Sequence, residues 1–147
     1  MSIQRILFFI FLIFFLVLIY FSKPSLQYKT QAVSIKNQKF IVEIADTDKL
    51  REKGLSGRIS LDKNKGMLFI FPQEGYYRFW MKEMNFPLDF IWISKDTIVD
   101  LTENIPIASN NITIPTFEPQ STVDKVLEVN AGTIKSLNIS LGDKIKY

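Results

Sequence analysis

The strongest constraint in the sequence is an unbroken apolar stretch over residues 6–21, which divides the chain into two unlike parts. A water-facing helix shows a polar face with a period of about 3.6 residues, and this stretch has no such face. As a helix it would extend roughly 24 Å, somewhat short of the ~30 Å hydrocarbon core of a bilayer, and Tyr20 and the polar flanks suit the interface. Residues 1–23 are therefore predicted to be an N-terminal membrane helix, either an anchor or a signal segment.

The end of this stretch favours an anchor that is not cleaved. Signal peptides end in small residues at alternate positions, and a cut after Ser22 would place Tyr20 where a small side chain is needed. Arg5 favours a cytoplasmic N-terminus, while Lys23 and Lys29 oppose it weakly. We expect a single-pass protein of the cell membrane with an extracytoplasmic C-terminal domain; secretion after signal cleavage is the alternative.

The chain contains no His and no Cys, which excludes several kinds of site. A Ser-His-Asp triad, a thiol nucleophile, a disulfide framework and a Cys/His zinc site all require these residues. Met67 and Met81 lie among aromatic residues of predicted strands and are interpreted as core rather than as copper ligands. The sequence predicts neither a metal site nor a cofactor.

Charge does not indicate nucleic-acid binding. Two of the 18 basic residues, Arg5 and Lys23, precede residue 24, so the remainder has 16 basic and 15 acidic residues that alternate in sign. Nucleic-acid binders usually present a clustered basic face. Residues 24–32 are polar with an early Pro24 and predict a tether, and residues 33–147 predict one domain.

Beyond the tether the pattern changes to the alternation typical of strands. Asn37-Gln38 predicts a hairpin turn, and Thr47 with Gly54 predicts a two-turn helix over residues 48–53. Pro72 to Gly75 predicts a turn, and Thr133 predicts a second short helix. Further strands are predicted over residues 67–71, 77–82, 88–94, 98–102 and 123–129, with a long loop over residues 105–121. The predicted fold is mainly β (α+β): a seven- to eight-stranded antiparallel sandwich or partly closed barrel with two short helices.

Six short segments, in their order and spacing, resemble the domain of unknown function 192 family (DUF 192) over residues 39–147. They are Gly54-Leu55-Ser56-Gly57-Arg58, Gly66-Met67-Leu68-Phe69-Ile70-Phe71-Pro72, Phe79-Trp80-Met81-Lys82, Pro87-Leu88-Asp89, Leu127-Glu128-Val129-Asn130-Ala131-Gly132 and Gly142-Asp143. The resemblance implies a small, mainly β domain, often carried behind an export signal or membrane anchor, with no established activity.

The chain departs from the family pattern at two places. Ser56 stands where the family commonly has Met, and Glu83-Met84 stands where it commonly has Asn-Thr. Arg58, Lys82, Asp89, Glu128 and Asn130 are of the residue types that the pattern leads one to expect. The departures put in doubt a ligand shared with the rest of the family.

Strand alternation indicates which of these side chains are candidates for a site. Asp89 heads an apolar stripe with Ile91 and Ile93, so it needs a partner, and Arg58 or Lys82 is expected. It is then either a ligand-binding or catalytic carboxylate or a structural lock. Glu128 and Asn130 share a strand face, and with Asp89 they would form one concave site if their strands meet.

Trp80 lies between Arg78 and Lys82 on one face of its predicted strand. An aromatic ring flanked by donors suits a sugar ring or an anionic group, whereas the alternative is a charged edge strand that resists pairing. The ligand-binding candidates are Arg58, Trp80, Lys82, Asp89, Glu128 and Asn130.

Three functions remain open on this basis. The first is a binding module for a small polar, sugar or anionic ligand, such as an envelope glycan. The second is a cell-envelope hydrolase that uses Asp89 and Glu128 as a carboxylate pair. The third is a scaffold for a partner protein, with an exposed apolar patch around residues 105–121. The sequence leaves the ligand, any reaction and the oligomeric state open.

Overall fold

The computed structural model describes residues 3–21, 27–108 and 114–147. The helices are α1 (Ile3–Phe21), α2 (Asp48–Lys53) and α3 (Thr133–Leu137), and the strands are β1 (Lys29–Ile35), β2 (Gln38–Ala45), β3 (Lys65–Gly75), β4 (Phe79–Trp80), β5 (Leu88–Ser94), β6 (Thr97–Ile105), β7 (Thr116–Phe117), β8 (Val123–Asn130) and β9 (Ile145–Lys146). The two predicted short helices are confirmed. Of the predicted tether, residues 29–32 belong to β1, and residues 24–26 lie outside the described residues.

The apolar N-terminal stretch forms α1. Among the helices of the described residues, none is both long enough and apolar enough to cross a membrane. The structure therefore gives no support to the predicted membrane helix.

The fold is mainly β and is built on one curled sheet of seven strands, a half-barrel, with the order β6-β5-β8-β3-β2-β1-β9. The prediction of a purely antiparallel fold is wrong at one pair, because β2 and β3 run parallel and α2 connects them. Strands that follow one another in the chain are not all neighbours in the sheet, since β8 inserts between β3 and β5. Strands β4 and β7 form a separate two-stranded sheet.

The sheet curls far enough for its two ends to meet. A bridge joins Thr97 at the start of β6 to Lys144 beside β9, and the Ile98 N–H donates to the Asp143 carbonyl at 2.9 Å. This closure fits the partly closed barrel among the predicted alternatives. It also protects part of both edges from pairing with other chains.

Two turns differ from the predicted ones. The hairpin between β1 and β2 turns at Lys36, whose φ is +52°, so the turn lies one residue earlier than Asn37-Gln38. No turn ends β3 at Pro72; instead β3 continues to Gly75 with a register shift against β8 between Ile70 and Gly75. Proline lacks the backbone donor that a regular ladder needs, which is why it is tolerated in this irregular stretch.

The sheet separates two hydrophobic cores. The inner core includes Ile98 of β6 and Ile145 of β9, from opposite ends of the sheet, and therefore fills the curl. The outer core includes Met67, Phe90 and Phe79 and is covered by the small sheet and by the segment after α2. Strand β5 is buried on both faces, and its sequence is accordingly an apolar run from Phe90 to Ile93.

Gly66 lets β3 approach β8 closely, and this contact is testable. A Cβ at Gly66 would lie 2.7 Å from the Glu128 carbonyl oxygen, whereas one at Gly75 would meet only the Tyr77 side chain at 3.4 Å or more. We expect Gly66→Ala to lower the unfolding free energy by more than about 2 kcal/mol and Gly75→Ala to change it by less than about 1 kcal/mol. Urea unfolding of the full-length protein measures both; equal effects would contradict the close approach.

Candidate functional site

The sheet separates the two carboxylates that the sequence offered as a pair. In the β5–β8 register Asp89 lies opposite Val129, and Phe90 lies opposite Glu128. Val129 belongs to the inner core and Phe90 to the outer core. Asp89 therefore faces the inside of the curl and Glu128 the outside, so the two do not line one concave site.

Asp89 is fully buried and acts as a structural acceptor. Its Oδ1 accepts from the Asn104 N–H at 2.7 Å, and its Oδ2 accepts from the Ile134 N–H at 2.9 Å. Two backbone donors thus satisfy the carboxylate, in place of the expected Arg58 or Lys82. The side chain holds the first turn of α3 and the end of β6 against β5. Its role is thus structural, but without the expected pairing to Arg58.

Arg58 pairs with Glu43, a residue that the sequence did not single out. Its guanidinium donates to both Glu43 oxygens, at 2.7 and 2.6 Å, in a bidentate pair. The hydrogen bond from Arg58 lowers the pKa of Glu43, and the same bond raises the pKa of Arg58. The Arg58 guanidinium also lies 5.5 Å from the centre of the Tyr28 ring. Arg58 is thus held in place beside the outer core.

Asn130 is also structural. Its Nδ2 donates to the carbonyl oxygens of Leu61 and Asp62, at 3.0 and 3.3 Å. Its own carbonyl oxygen accepts from the Thr133 hydroxyl at 2.6 Å. Asn130 therefore fastens the loop before β3 to the end of β8 and to the start of α3.

A cavity of about 200 Å³, here called the inner cavity, opens on the outer face of the sheet. Apolar and aromatic side chains form much of its wall: Leu55, Phe69, Phe71, Tyr77, Phe79 and Met84. Charged side chains, among them Arg51, Lys53 and Arg78, also line it. The Phe71 ring is stacked on Tyr77 with 3.5 Å between centroids, and Phe69 meets Phe79 edge to face at 4.9 Å. The irregular end of β3 brings Phe71 to this wall. Such rings give the chamber rigid, apolar surfaces.

Glu128 is the buried carboxyl of the inner cavity, with 5% of its surface exposed. Among the described residues, none donates a hydrogen bond to this carboxyl. Burial raises the pKa of Glu128 to about 8, and the positive charge of Arg58 opposes this only in part. At pH 7 the carboxyl is therefore mostly neutral, and it can both donate and accept a hydrogen bond.

Trp80 and Lys82 lie beside the inner cavity, at a second concavity of about 310 Å³, here called the outer cavity. The predicted alternation is confirmed here, because Phe79 and Met81 are buried whereas Trp80 is 46% exposed. Only Phe79–Trp80 of the predicted strand is regular. Of the candidate residues, the structure therefore brings together Glu128, Trp80 and Lys82.

The turn after α2 is fastened to the turn after β4, and this forms the shared mouth of the two cavities. The Ser56 hydroxyl donates to the Lys82 carbonyl at 2.9 Å, and the Gly57 N–H donates to the Glu83 carbonyl at 2.8 Å. Ser56, Glu83 and Met84, where the chain departs from the family pattern, all line one or both cavities. The departures thus alter the mouth and leave the scaffold intact.

A family model described as "Uncharacterized ACR" and named for DUF 192 matches residues 30–147. The chain belongs to the DUF 192 family. This confirms the resemblance seen in the short segments. A search of curated proteins finds no match.

Two solved structures share the DUF 192 fold of this chain. One, from Sinorhizobium meliloti 1021, is described as a "putative transcription regulator"; it is 31% identical, with a TM-score of 0.76 over 84% of this chain and 97% of that one. The other, a protein of unknown function from Novosphingobium aromaticivorans DSM 12444, is 26% identical, with a TM-score of 0.71 over 86% and 89% of the two chains.

The structural role of Asp89 in this DUF 192 domain predicts a loss of stability on amide substitution. Asp89→Asn leaves one oxygen for two buried backbone donors, so we expect a loss of about 1–3 kcal/mol. Asp100→Asn is the matched control, because Asp100 also accepts from two backbone N–H groups but is only half-buried. Chemical unfolding of the full-length variants measures both losses. A smaller loss for Asp89→Asn than for the control would contradict the assignment.

The raised pKa of Glu128 predicts a specific pH dependence of stability. An unfolded Glu ionises near 4.5 and the folded one near 8, so its contribution to stability is complete below pH 4.5 and is lost as pH rises towards 8. Relative to Glu128→Gln, the wild type should lose about 1.4 kcal/mol per pH unit in this window. Unfolding between pH 5 and 8 measures this slope, and exposed Glu103→Gln should keep the wild-type slope. Parallel curves for wild type and Glu128→Gln would contradict a buried neutral carboxyl.

Proposed function

We propose that this domain is a binding module whose small ligand enters the inner cavity and meets the Glu128 carboxyl. The observation that carries the proposal is a largely buried acid at the wall of a chamber with aromatic rings, to which no described residue donates a hydrogen bond. Keeping a carboxyl there disfavours folding at neutral pH, and a packed apolar side chain would avoid that cost. A ligand atom that accepts a hydrogen bond from the neutral Glu128 carboxyl would supply a partner for it.

The cavity limits the size and shape of this ligand. A volume of about 200 Å³ suits a single ring or a similar small body. Aromatic walls favour flat or apolar faces, and the half-exposed Trp80 offers a stacking surface at the mouth. The ligand class is thus a ring with at least one hydroxyl or carbonyl oxygen, which includes the sugar-like ligands expected from Trp80.

The other functions have less support. A hydrolase based on Asp89 and Glu128 would need both carboxyls on one side of the substrate-binding sheet, and they lie on opposite faces. The scaffold hypothesis depends on residues 105–121, of which 109–113 lie outside the described residues.

The name of the Sinorhizobium structure suggests regulation of transcription. The mixed charges of residues 24–147 do not favour direct contact with nucleic acid.

We place the binding module at a membrane as part of the same proposal. The support is the apolar run of residues 6–21, whose side chains on α1 from Ile6 to Val17 are exposed. Exposed apolar surface of this extent favours lipid over water. The single-pass topology, the extracytoplasmic side and the alternative of secretion after cleavage stay predictions.

Benzyl alcohol, a ring with one hydroxyl and no charge, tests the proposed cavity. We expect saturable binding to the full-length protein with a Kd of roughly 1 mM, followed through the NMR signal of the Trp80 indole N–H. Because the neutral form of Glu128 donates to the ligand, affinity should fall as pH rises through 8.

Two variants make this experiment specific. Glu128→Gln keeps a donor and an acceptor, so its affinity should not change with pH, whereas Glu103→Gln should behave as the wild type. The proposal fails if benzyl alcohol does not bind saturably, or if Glu128→Gln retains the pH dependence of the wild type.

A further inference from the structure

The outer cavity adjoins the inner cavity and has a different chemical character. The two cavities share the lining residues Glu52, Lys53, Ser56 and Trp80, so they form one continuous recess. The inner part has several aromatic rings in its wall together with Arg51, Lys53 and Arg78. The outer part has Trp80 and three lysines, Lys49, Lys53 and Lys82. The recess therefore passes from a chamber with aromatic rings to a mouth lined by three lysines, and Trp80 lies at the boundary.

The three lysines come from two separate elements. Lys49 and Lys53 lie four residues apart on α2 and so share one face of that helix. Lys82 comes from the turn after β4, which Ser56 and Gly57 fasten to the turn after α2. The same hydrogen bonds that form the mouth therefore hold the backbone of Lys82 beside the segment after α2, and all three lysines line the outer cavity.

Among the residues that the structure describes, none forms an ion pair with these three lysines. Within the described ranges, the ion pairs involve other cations, among them Arg51 with Asp48 and Arg78 with Glu118. Two like charges at positions i and i+4 slightly destabilise a helix. Glu52 and Glu83 also line the outer cavity, so the lysines exceed the carboxylates by one. The arrangement is mildly unfavourable to the fold and favourable to an incoming anion.

We propose that the ligand carries an anionic group, held by Lys49, Lys53 and Lys82 in the outer cavity, while its ring occupies the inner cavity. This inference rests on the proposed function of the inner cavity and adds the ligand class: a ring compound with a phosphate or carboxylate group. Phosphate and carboxylate share the chemistry that lysines recognise, since both present oxygens with negative charge. Glu128 repels such a ligand little at pH 7, because burial raises its pKa to about 8 and the carboxyl is mostly neutral.

Benzyl phosphate and benzyl alcohol differ only in the anionic group, and their comparison tests this inference on the full-length protein at pH 7 and low salt. We expect benzyl phosphate to bind at least about fivefold more tightly, and inorganic phosphate alone to bind more weakly than benzyl phosphate. The advantage should disappear at about 1 M salt, where exposed charges are screened. Phenylacetate replaces the phosphate with a carboxylate, and the tighter of the two anions identifies the preferred group.

Lysine variants separate this inference from the proposed function. Lys49→Gln with Lys82→Gln should weaken benzyl phosphate about fivefold or more and change benzyl alcohol less than about twofold. Exposed Lys63→Gln, outside both cavities, should leave both affinities unchanged. If benzyl alcohol binds but neither anion gains affinity, or the lysine variants have no effect, the anionic ligand is ruled out and the inner cavity stands. If benzyl alcohol does not bind either, the proposed function itself fails.

Discussion

The close pairing of β8 with β3 determines which side chains of this domain can meet. Gly66 permits the approach, since any side chain there would collide with the Glu128 carbonyl. The pairing sets Glu128 between Met67 on one neighbouring strand and Phe90 on the other. The carboxyl thus enters an apolar row of the outer face, where the segment after α2 and the small sheet cover it. The cavity and the raised pKa both follow from this placement.

Local elements could be predicted because their signals lie within a few residues. Thr47 caps α2 through its hydroxyl, and Gly54 follows the helix with a positive φ, as the sequence indicated. Strand β5 has the predicted bounds because Pro87 and Lys95 flank a segment that is apolar except for Asp89 and Ser94. Alternation also assigned Asp89 to the face of Ile91 and Glu128 to the face opposite Leu127. These assignments require only the geometry of one strand.

The candidate site could be predicted only in part, because it depends on strand order. Alternation gives two faces for each strand but does not say which faces of different strands coincide. The insertion of β8 next to β5 sets Asp89 and Glu128 on opposite sides, and no local signal specifies it. Arg58 was likewise assigned to Asp89, whereas the parallel β2–β3 pair brings Glu43 within its reach. Phe71 reaches the cavity wall because the pairing of β3 with β8 is irregular after Ile70. Pro72 predicts an irregularity there but not its geometry.

The two buried carboxyls differ in their hydrogen bonds, and this difference separates a structural acid from a candidate ligand-binding acid. Asp89 accepts from two backbone donors, so its charge is compensated and its role in the fold is complete. Glu128 has no such donor among the described residues and is kept neutral by burial alone. If the only role of this residue were to fill space, an apolar side chain like those of Met67 and Phe90 would give a more stable fold. Glu128 lines a chamber of about 200 Å³ and can still form hydrogen bonds there. A ligand in this chamber is therefore the best explanation for the carboxyl.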